Sequence, residues 1–404
     1  MRFSLAVPRG AALVVAGLVA AACTGGTTLR SSDPSSPTLA PAPTTVWVPE
    51  DSGEAETPEV TTTTESRRAW TLLAGGDVKM ERFELLGLDP FAQLEPSLRA
   101  ADFSMINVET TISDRGTPYD KDYVFRAPPS AADTIAGAGV TVANLANNHA
   151  KDYGPDALLD TVSLLEAAGV ATVGAGRDAE EAYQYRLLET DAGLRVAFVG
   201  ISYIVPLYFG ATASNPGVAS AHLPSRGRVL DTVRAATAAS DVVVVSVHWG
   251  IERNPCPNVD QRTLAQQLLD AGADAVIGHH PHVLQPVEHS GGKLVAYSLG
   301  NFVWDHRPGL TGETGVLQID FDGDAVVGWT LHPHLLDDNG MPVPADSGNR
   351  VDRIAAITSG NCEPYMPAPA ATAPPVDADN TADTDAEGDP ATTTLPPPTG
   401  TAGA

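Results

Sequence analysis

Cysteine is scarce in this 404-residue chain: Cys23, Cys256 and Cys362 are the only three. That excludes a paired-cysteine zinc knuckle and a redox Cys-x-x-Cys site. Positive charge is scarce too, with 24 Lys and Arg against 50 Asp and Glu and a formal net charge of -26. Such acidity excludes nucleic acid as a partner and adhesion to anionic lipid through charge. An anionic substrate would have to be drawn in by local cations. A Gly-rich phosphate loop of the P-loop or dinucleotide type is absent, as is any internal repeat. The apolar content of 43% is enough for one sizeable core.

Both ends lack the pattern of a folded domain. Residues 1–22 carry Arg2 and Arg9 and then an apolar run from Ala11 to Ala22. That run is too short to span a bilayer and fits the core of a signal peptide. Val19-Ala20-Ala21-Ala22-Cys23 resembles a lipoprotein signal in which Cys23 becomes the lipidated first residue, although Ala20-Ala21-Ala22 also satisfies plain small-x-small cleavage. Either route places the mature protein outside the cytoplasm, held to the membrane through Cys23 or secreted. Residues 23–68 are rich in Pro, Thr, Ser and Glu and predict a flexible tether. Residues 363–404 predict an acidic Ala/Thr/Pro tail. With Cys23 lipidated, Cys256 and Cys362 remain, and in an oxidising compartment they are expected to pair rather than stay free.

Residues 69–336 read as one folded unit, followed by a 337–362 extension with a short helix at 349–358. Strands are expected at 70–74, 103–108, 140–145, 170–173, 195–201, 241–247, 275–277 and 294–298. Helices are expected between them at 90–101, 131–139, 156–168, 228–239 and 261–271. A closing hairpin over 315–321 and 325–331 turns at Asp322-Gly323-Asp324. This alternation implies an α/β fold with a mixed sheet.

The densest chemical signal is Ala275–His282, A-V-I-G-H-H-P-H, which places His279, His280 and His282 just past a short strand. In α/β sheets the C-terminal strand ends are where ligands bind. If the segment is extended, His280 and His282 leave the same face, with Pro281 stiffening it. Other strand ends carry Gly75-Gly76-Asp77, Asn107 and Glu109, Asn147-Asn148-His149 with Asp152, His248-Trp249-Gly250 with Glu252, and Gly300-Asn301-Phe302. Asp77, Glu109, Asn148, His248, His280 and His282 form a mixed oxygen–nitrogen set suited to one or two divalent ions, Mn, Fe or Zn before Ca or Cu(I). His149 is placed to protonate a leaving oxygen and Asp152 to orient it. Lys79, Arg82, Lys121 and Arg126 are the candidate substrate contacts, or else solvated surface. Trp249, Phe302 and Trp304 either wall a cleft or pack in the core.

These strings, in this order, resemble the CapA family of capsule proteins linked to poly-γ-glutamate synthesis. The matching residues are Gly76-Asp77 with Arg82, Asn107-Val108-Glu109, Phe125-Arg126-Ala127-Pro128 and Asn144 to His149 with Asp152 and Gly154. His248-Trp249-Gly250 with Glu252 and Gln261, Gly278 to His282, and Ser298 to Phe302 complete the series. The resemblance implies a four-layer α-β-β-α sandwich of the calcineurin-like metallophosphatase type. It also implies membrane-associated work on an anionic polymer. By position it makes Asp77, Glu109, Asn148, His248, His280 and His282 the metal set and His149 the catalytic histidine. Two positions depart from the phosphatase pattern: Lys79 stands where a ligand histidine is usual, and Glu109 where a bridging Asp is usual.

Two functions follow as expectations. One is an envelope-anchored, metal-dependent hydrolase of a phosphoester or related bond, acting on an anionic surface polymer or a phosphorylated small substrate. The other is a non-catalytic accessory protein that guides such a polymer, using Lys79, Arg82, Lys121, Arg126 and Asn301. Either could work beside a membrane polymer synthase.

Overall fold

The computed structural model describes residues 68–305 and 308–366. The expected signal peptide, Cys23 and nearly all of the tether and tail lie outside the described residues. Among the described residues no helix is long and apolar enough to cross a membrane.

The first half runs β1 (Ala69–Val78), α1 (Glu81–Leu86), α2 (Glu95–Ala100), β2 (Phe103–Val108), α3 (Ser130–Gly137), β3 (Val142–Asn144), α4 (Pro155–Ala167) and β4 (Ala171–Val173). The second half begins with β5 (Arg186–Glu189), β6 (Arg195–Ser202), α5 (Arg226–Ala239), β7 (Val242–His248), α6 (Val259–Ala271) and β8 (Ala275–His279). It continues with β9 (Val287–Ser290), β10 (Lys293–Ala296) and β11 (Asn301–Val303). The end is β12 (Glu313–Asp322), β13 (Ala325–Leu336), β14 (Pro342–Pro344) and α7 (Asn349–Thr358).

The strands form two main sheets. One has eight strands in the order β14-β13-β12-β1-β2-β3-β4, with β11 lying parallel against the end of β1. The other has six, β9-β10-β8-β7-β6-β5. In the first sheet β1 to β4 are parallel out to the β4 edge, and antiparallel strands close the other side. In the second, parallel strands fill the middle and antiparallel partners close both edges. The expected hairpin is present, with Asp322 opposite Ala325.

Three apolar layers hold four structural layers together. Trp70, Leu72, Phe103 and Met105 of the first sheet meet Phe198, Val244 and Ile277 of the second in one core. The outer face of the first sheet packs on α1–α4 through Phe83, Leu98, Ile135 and Leu158. The outer face of the second packs on α5 and α6 through Val229, Val233, Leu264 and Leu268. The fold is therefore an α-β-β-α sandwich.

Strand phase explains the apolar runs. In β7, Val242 and Val244 face the other sheet while Val243, Val245 and Val247 face the helices. A strand covered on both sides reads as a continuous Val run. The helix expected over 90–101 starts only at Glu95. Pro96 lacks the N–H needed deeper in a helix, and the Asp89 carboxylate accepts from Phe91 N–H at 2.9 Å, making a turn where helix was expected.

Candidate metal centre

The same strand phase gathers the polar residues. Phe103 and Met105 point between the sheets, so Asn107 and Glu109, two and four residues on from Met105, follow them to that side. Val242 and Val244 carry His248 there, and Ala275 and Ile277 carry His279. Asp77 needs one more device. Leu73 faces the helices, and simple alternation would send Asp77 after it. The register of β1 on β2 instead slips by one residue between Ala74 and Asp77. That bulge turns Asp77 inward and leaves Val78 on the helix side.

Gly76 permits the last contact. A Cβ there would sit 2.0 Å from the Gly300 carbonyl oxygen. The close approach lets Asp77 N–H donate to Gly300 O at 2.9 Å and sets Asn301 beside Asp77. Gly278 plays a similar part, since a Cβ would lie 2.4 Å from Trp249 Nε1. Trp249 seals the floor of the helix-side core and donates to Tyr297 O at 2.8 Å.

The side chains converge on Glu109, which is fully buried. Its Oε1 lies 3.7 Å from His248 Nε2, 3.8 Å from His282 Nε2 and 4.0 Å from His149 Nε2. Those separations are too long for hydrogen bonds, and Oε1 has no partner. A buried, unbonded carboxylate oxygen surrounded by imidazole nitrogens is costly unless something else completes it. His280 Nδ1 is likewise unpartnered. Ligand atoms of Glu109, His248 and His280, of Asp77, Glu109 and His282, and of Glu252, His280 and His282 each lie within 4.8 Å of one another. The set fits divalent metal, and these residues could hold an ion. The absence of thiolate points to oxygen- and nitrogen-loving metals.

The remaining contacts fix orientation. Asn107 Nδ2 donates to Asp77 Oδ1 at 2.8 Å. His280 N–H donates to Asp77 Oδ2 at 3.2 Å, and His282 Nδ1 sits 3.3 Å from the same oxygen. His248 Nε2 lies 2.9 Å from Asn148 Oδ1. His149 Nδ1 is 2.7 Å from Asp152 Oδ2, and the His149 ring stacks on Phe125 at 4.0 Å.

Electrostatics divide the groups. Burial, reinforced by the charges of Asp77 and Glu252, pushes Glu109 well above the ordinary carboxylate range. Burial would raise Asp77 as well, but its hydrogen bond to His282 and the charges of His282 and His279 hold it below its usual value. Two buried carboxylates this close do not both ionise without a cation. Burial depresses His149 and His279 to about 4 and His280 to about 3, and takes His248 well down. His282 goes the other way: burial opposes its charge, but Asp77 raises it. The other imidazoles are thus neutral near pH 7, the form that binds metal.

Several expectations need correcting. His280 and His282 do not lie on an extended segment. Their φ values are 96° and 55°, in the left-handed region, and the chain bends at each. Such backbone costs about 1–3 kcal/mol per residue and tends to occur at functional sites. For Phe302 and Trp249, expected either to wall a cleft or to pack in the core, the core alternative holds. Trp304 does border the site, 4.7 Å from the His282 ring. The lysines are committed to acids rather than open to an anion. Lys79 Nζ lies 2.8 Å from Asp305 and 3.1 Å from Glu81, and Lys121 Nζ lies 2.7 Å from Asp152. Arg126 is exposed and lies over Tyr153 at 4.3 Å. Arg82 is half-buried on α1. Asn301 is spent on orienting His282, 2.8 Å from its Nδ1.

Three residues were not singled out as ligands or supports from the sequence. His279 is fully buried, 3.5 Å from Asp77, with neither ring nitrogen hydrogen-bonded. Asn107 bridges Asp77 and Glu109. Glu252, on an exposed loop, comes near His280 and His282. Strand alternation from the cores would have found the first two.

Residues 71–306 match the family model described as bacterial capsule synthesis protein PGA_cap. The PGA biosynthesis protein CapA of Bacillus subtilis (strain 168) is 34% identical over 275 residues, 66% of this chain and 71% of that protein. The capsule biosynthesis protein CapA of Bacillus anthracis is 31% identical over 298 residues, 70% of this chain and 71% of that one. A protein of Mycobacterium tuberculosis named "Probable polyglutamine synthesis accessory protein" is 34% identical over 216 residues, 52% of this chain and 57% of its own length.

Proposed function

This chain belongs to the PGA_cap family of bacterial capsule synthesis proteins, and from that premise we propose that it is a metal-dependent hydrolase acting on a phosphoester or related bond during synthesis of an anionic surface polymer. The observation that carries the reading is the unbonded Glu109 Oε1 inside a ring of buried imidazoles. One or two ions of Mn, Fe or Zn, held by Asp77, Glu109, Asn148, His248, His280 and His282, would supply Lewis acidity and a nucleophile at neutral pH.

The rest of the chemistry belongs to the chain. His149 is neutral near pH 7, because burial keeps it at about 4. Asp152 beside Nδ1 selects the tautomer with its proton there, so Nε2 faces the site as the atom that takes and returns a proton. Lys121 holds Asp152 in place. Phe125 stacks on the His149 ring and Trp304 lies against the His282 ring, so the two aromatics support these imidazoles from one side.

The protein would act outside the cytoplasm, tethered through lipidated Cys23, on a poly-γ-glutamate-type polymer or its phosphorylated precursor and beside a membrane synthase. The test is metal content of the purified chain and turnover of an aryl phosphate with added manganese. Bound metal, and turnover abolished in His280→Ala, is the expected result. Absence of metal at micromolar free concentration, with equal turnover in the variant, would leave the accessory role of guiding polymer in its place.

A further inference from the structure

All three described non-glycine residues with positive φ, Arg253, His280 and His282, lie in two loops that touch each other. Arg253 N–H donates to Pro281 O at 2.7 Å, between the two histidines. Backbone in this region persists only where the surroundings hold it. Part of those surroundings comes from beyond the residues that match the family model, including the C-terminal extension.

Two routes lead there. Cys256, three residues after Arg253, is joined by a disulfide to Cys362, just past α7. Gln285 braces the same loop by donating to Asn254 O at 2.7 Å. Leu284, two residues after His282, packs with Ile354, Ile357 and Cys362. On the other side, Arg350 and Arg353 of α7 grip the buried Glu313, and Arg350 also bonds Gly312 O at 2.7 Å. The neighbouring Thr311 carbonyl accepts from Asn301 Nδ2 at 2.9 Å, and Asn301 Oδ1 meets His282 Nδ1. Both routes end on the His280–His282 bend.

We propose that α7 and the Cys256–Cys362 disulfide form a strut that positions His280 and His282 as metal ligands, so that ion affinity depends on a bond remote from the ion. This rests on the metal-centre reading above. Partners that orient ligands from outside the coordination sphere are worth about ten- to a hundredfold in affinity.

The test titrates Mn²⁺ into the full-length chain by calorimetry and records the electron paramagnetic resonance spectrum of the bound ion. The oxidised protein is compared with phosphine-reduced protein, with reoxidised protein and with a C256S/C362S variant. A fall of about ten- to a hundredfold on reduction and in the variant, an altered spectrum, and recovery on reoxidation are expected. Equal affinity and an unchanged spectrum would overturn the proposal, even if the melting temperature drops. Should the reduced protein unfold, Glu313→Gln decides: it loosens α7 with the disulfide intact, and unchanged affinity there overturns the strut. If the oxidised chain binds no Mn²⁺, the metal-centre reading itself fails and the strut falls with it.

Discussion

Loading the ion-free protein with a divalent metal should expel a proton from Glu109. Burial and the charges of Asp77 and Glu252 push that carboxyl well above the ordinary carboxylate range and favour its protonated form, yet a ligand carboxylate must be ionised. His282, raised by Asp77, is a second source. His248 and His280 are already neutral and contribute none. Binding should therefore release protons, and affinity should rise with pH by up to about tenfold per unit for each proton released. Calorimetric titrations in buffers of different ionisation enthalpy measure the number directly. Glu109→Gln keeps the shape but holds no titrating proton, so release should fall by about one and the pH slope of log affinity by the same amount. Equal proton release by wild type and Glu109→Gln would refute the assignment of Glu109 as a protonated ligand.

Other outcomes follow from the same geometry. His279 sits at about 4 because burial disfavours its charge; on acidification the unfolded chain protonates first, near 6.5. Its contribution to stability is therefore complete above 6.5 and lost as pH falls towards 4, roughly 3 kcal/mol in all. Denaturant unfolding of the ion-free protein at pH 7 and pH 5 should show a smaller loss in His279→Phe than in wild type; equal losses would exclude His279 as a source. Gly76→Ala drives a Cβ to 2.0 Å from Gly300 O and should cost about 1–3 kcal/mol or more, with weaker metal binding read by the same calorimetry. His149→Ala should lower turnover by about 10²–10⁴-fold while leaving metal affinity within a few-fold of wild type.

Much of the fold was legible because periodic burial writes itself into residue type. The Val run of β7 and the amphipathic helices α4 and α6 stand out for that reason. Short or half-exposed strands such as β5 and β11 carried too little pattern to be read. The convergence of strand-end residues was also legible, since phase fixes the face. The backbone devices that complete the site were not. The bulge that turns Asp77 inward leaves no signature in Gly75-Gly76-Asp77 beyond its glycines. Nor does His-His-Pro-His announce two left-handed residues, because the bend is imposed by neighbours from the loop of Arg253. The lysines read as anion contacts because two of their partners, Asp305 and Asp152, are 226 and 31 residues away in sequence, although Glu81, the other partner of Lys79, is close by.

The most direct measurement is a crystal of the full-length protein grown with Mn²⁺, with diffraction collected near the manganese absorption edge. An anomalous peak bonded to Glu109 Oε1 and to the His280 ring is the predicted result. A peak on the acidic surface alone, or none at saturating manganese, would contradict the claim that these buried donors form a metal centre.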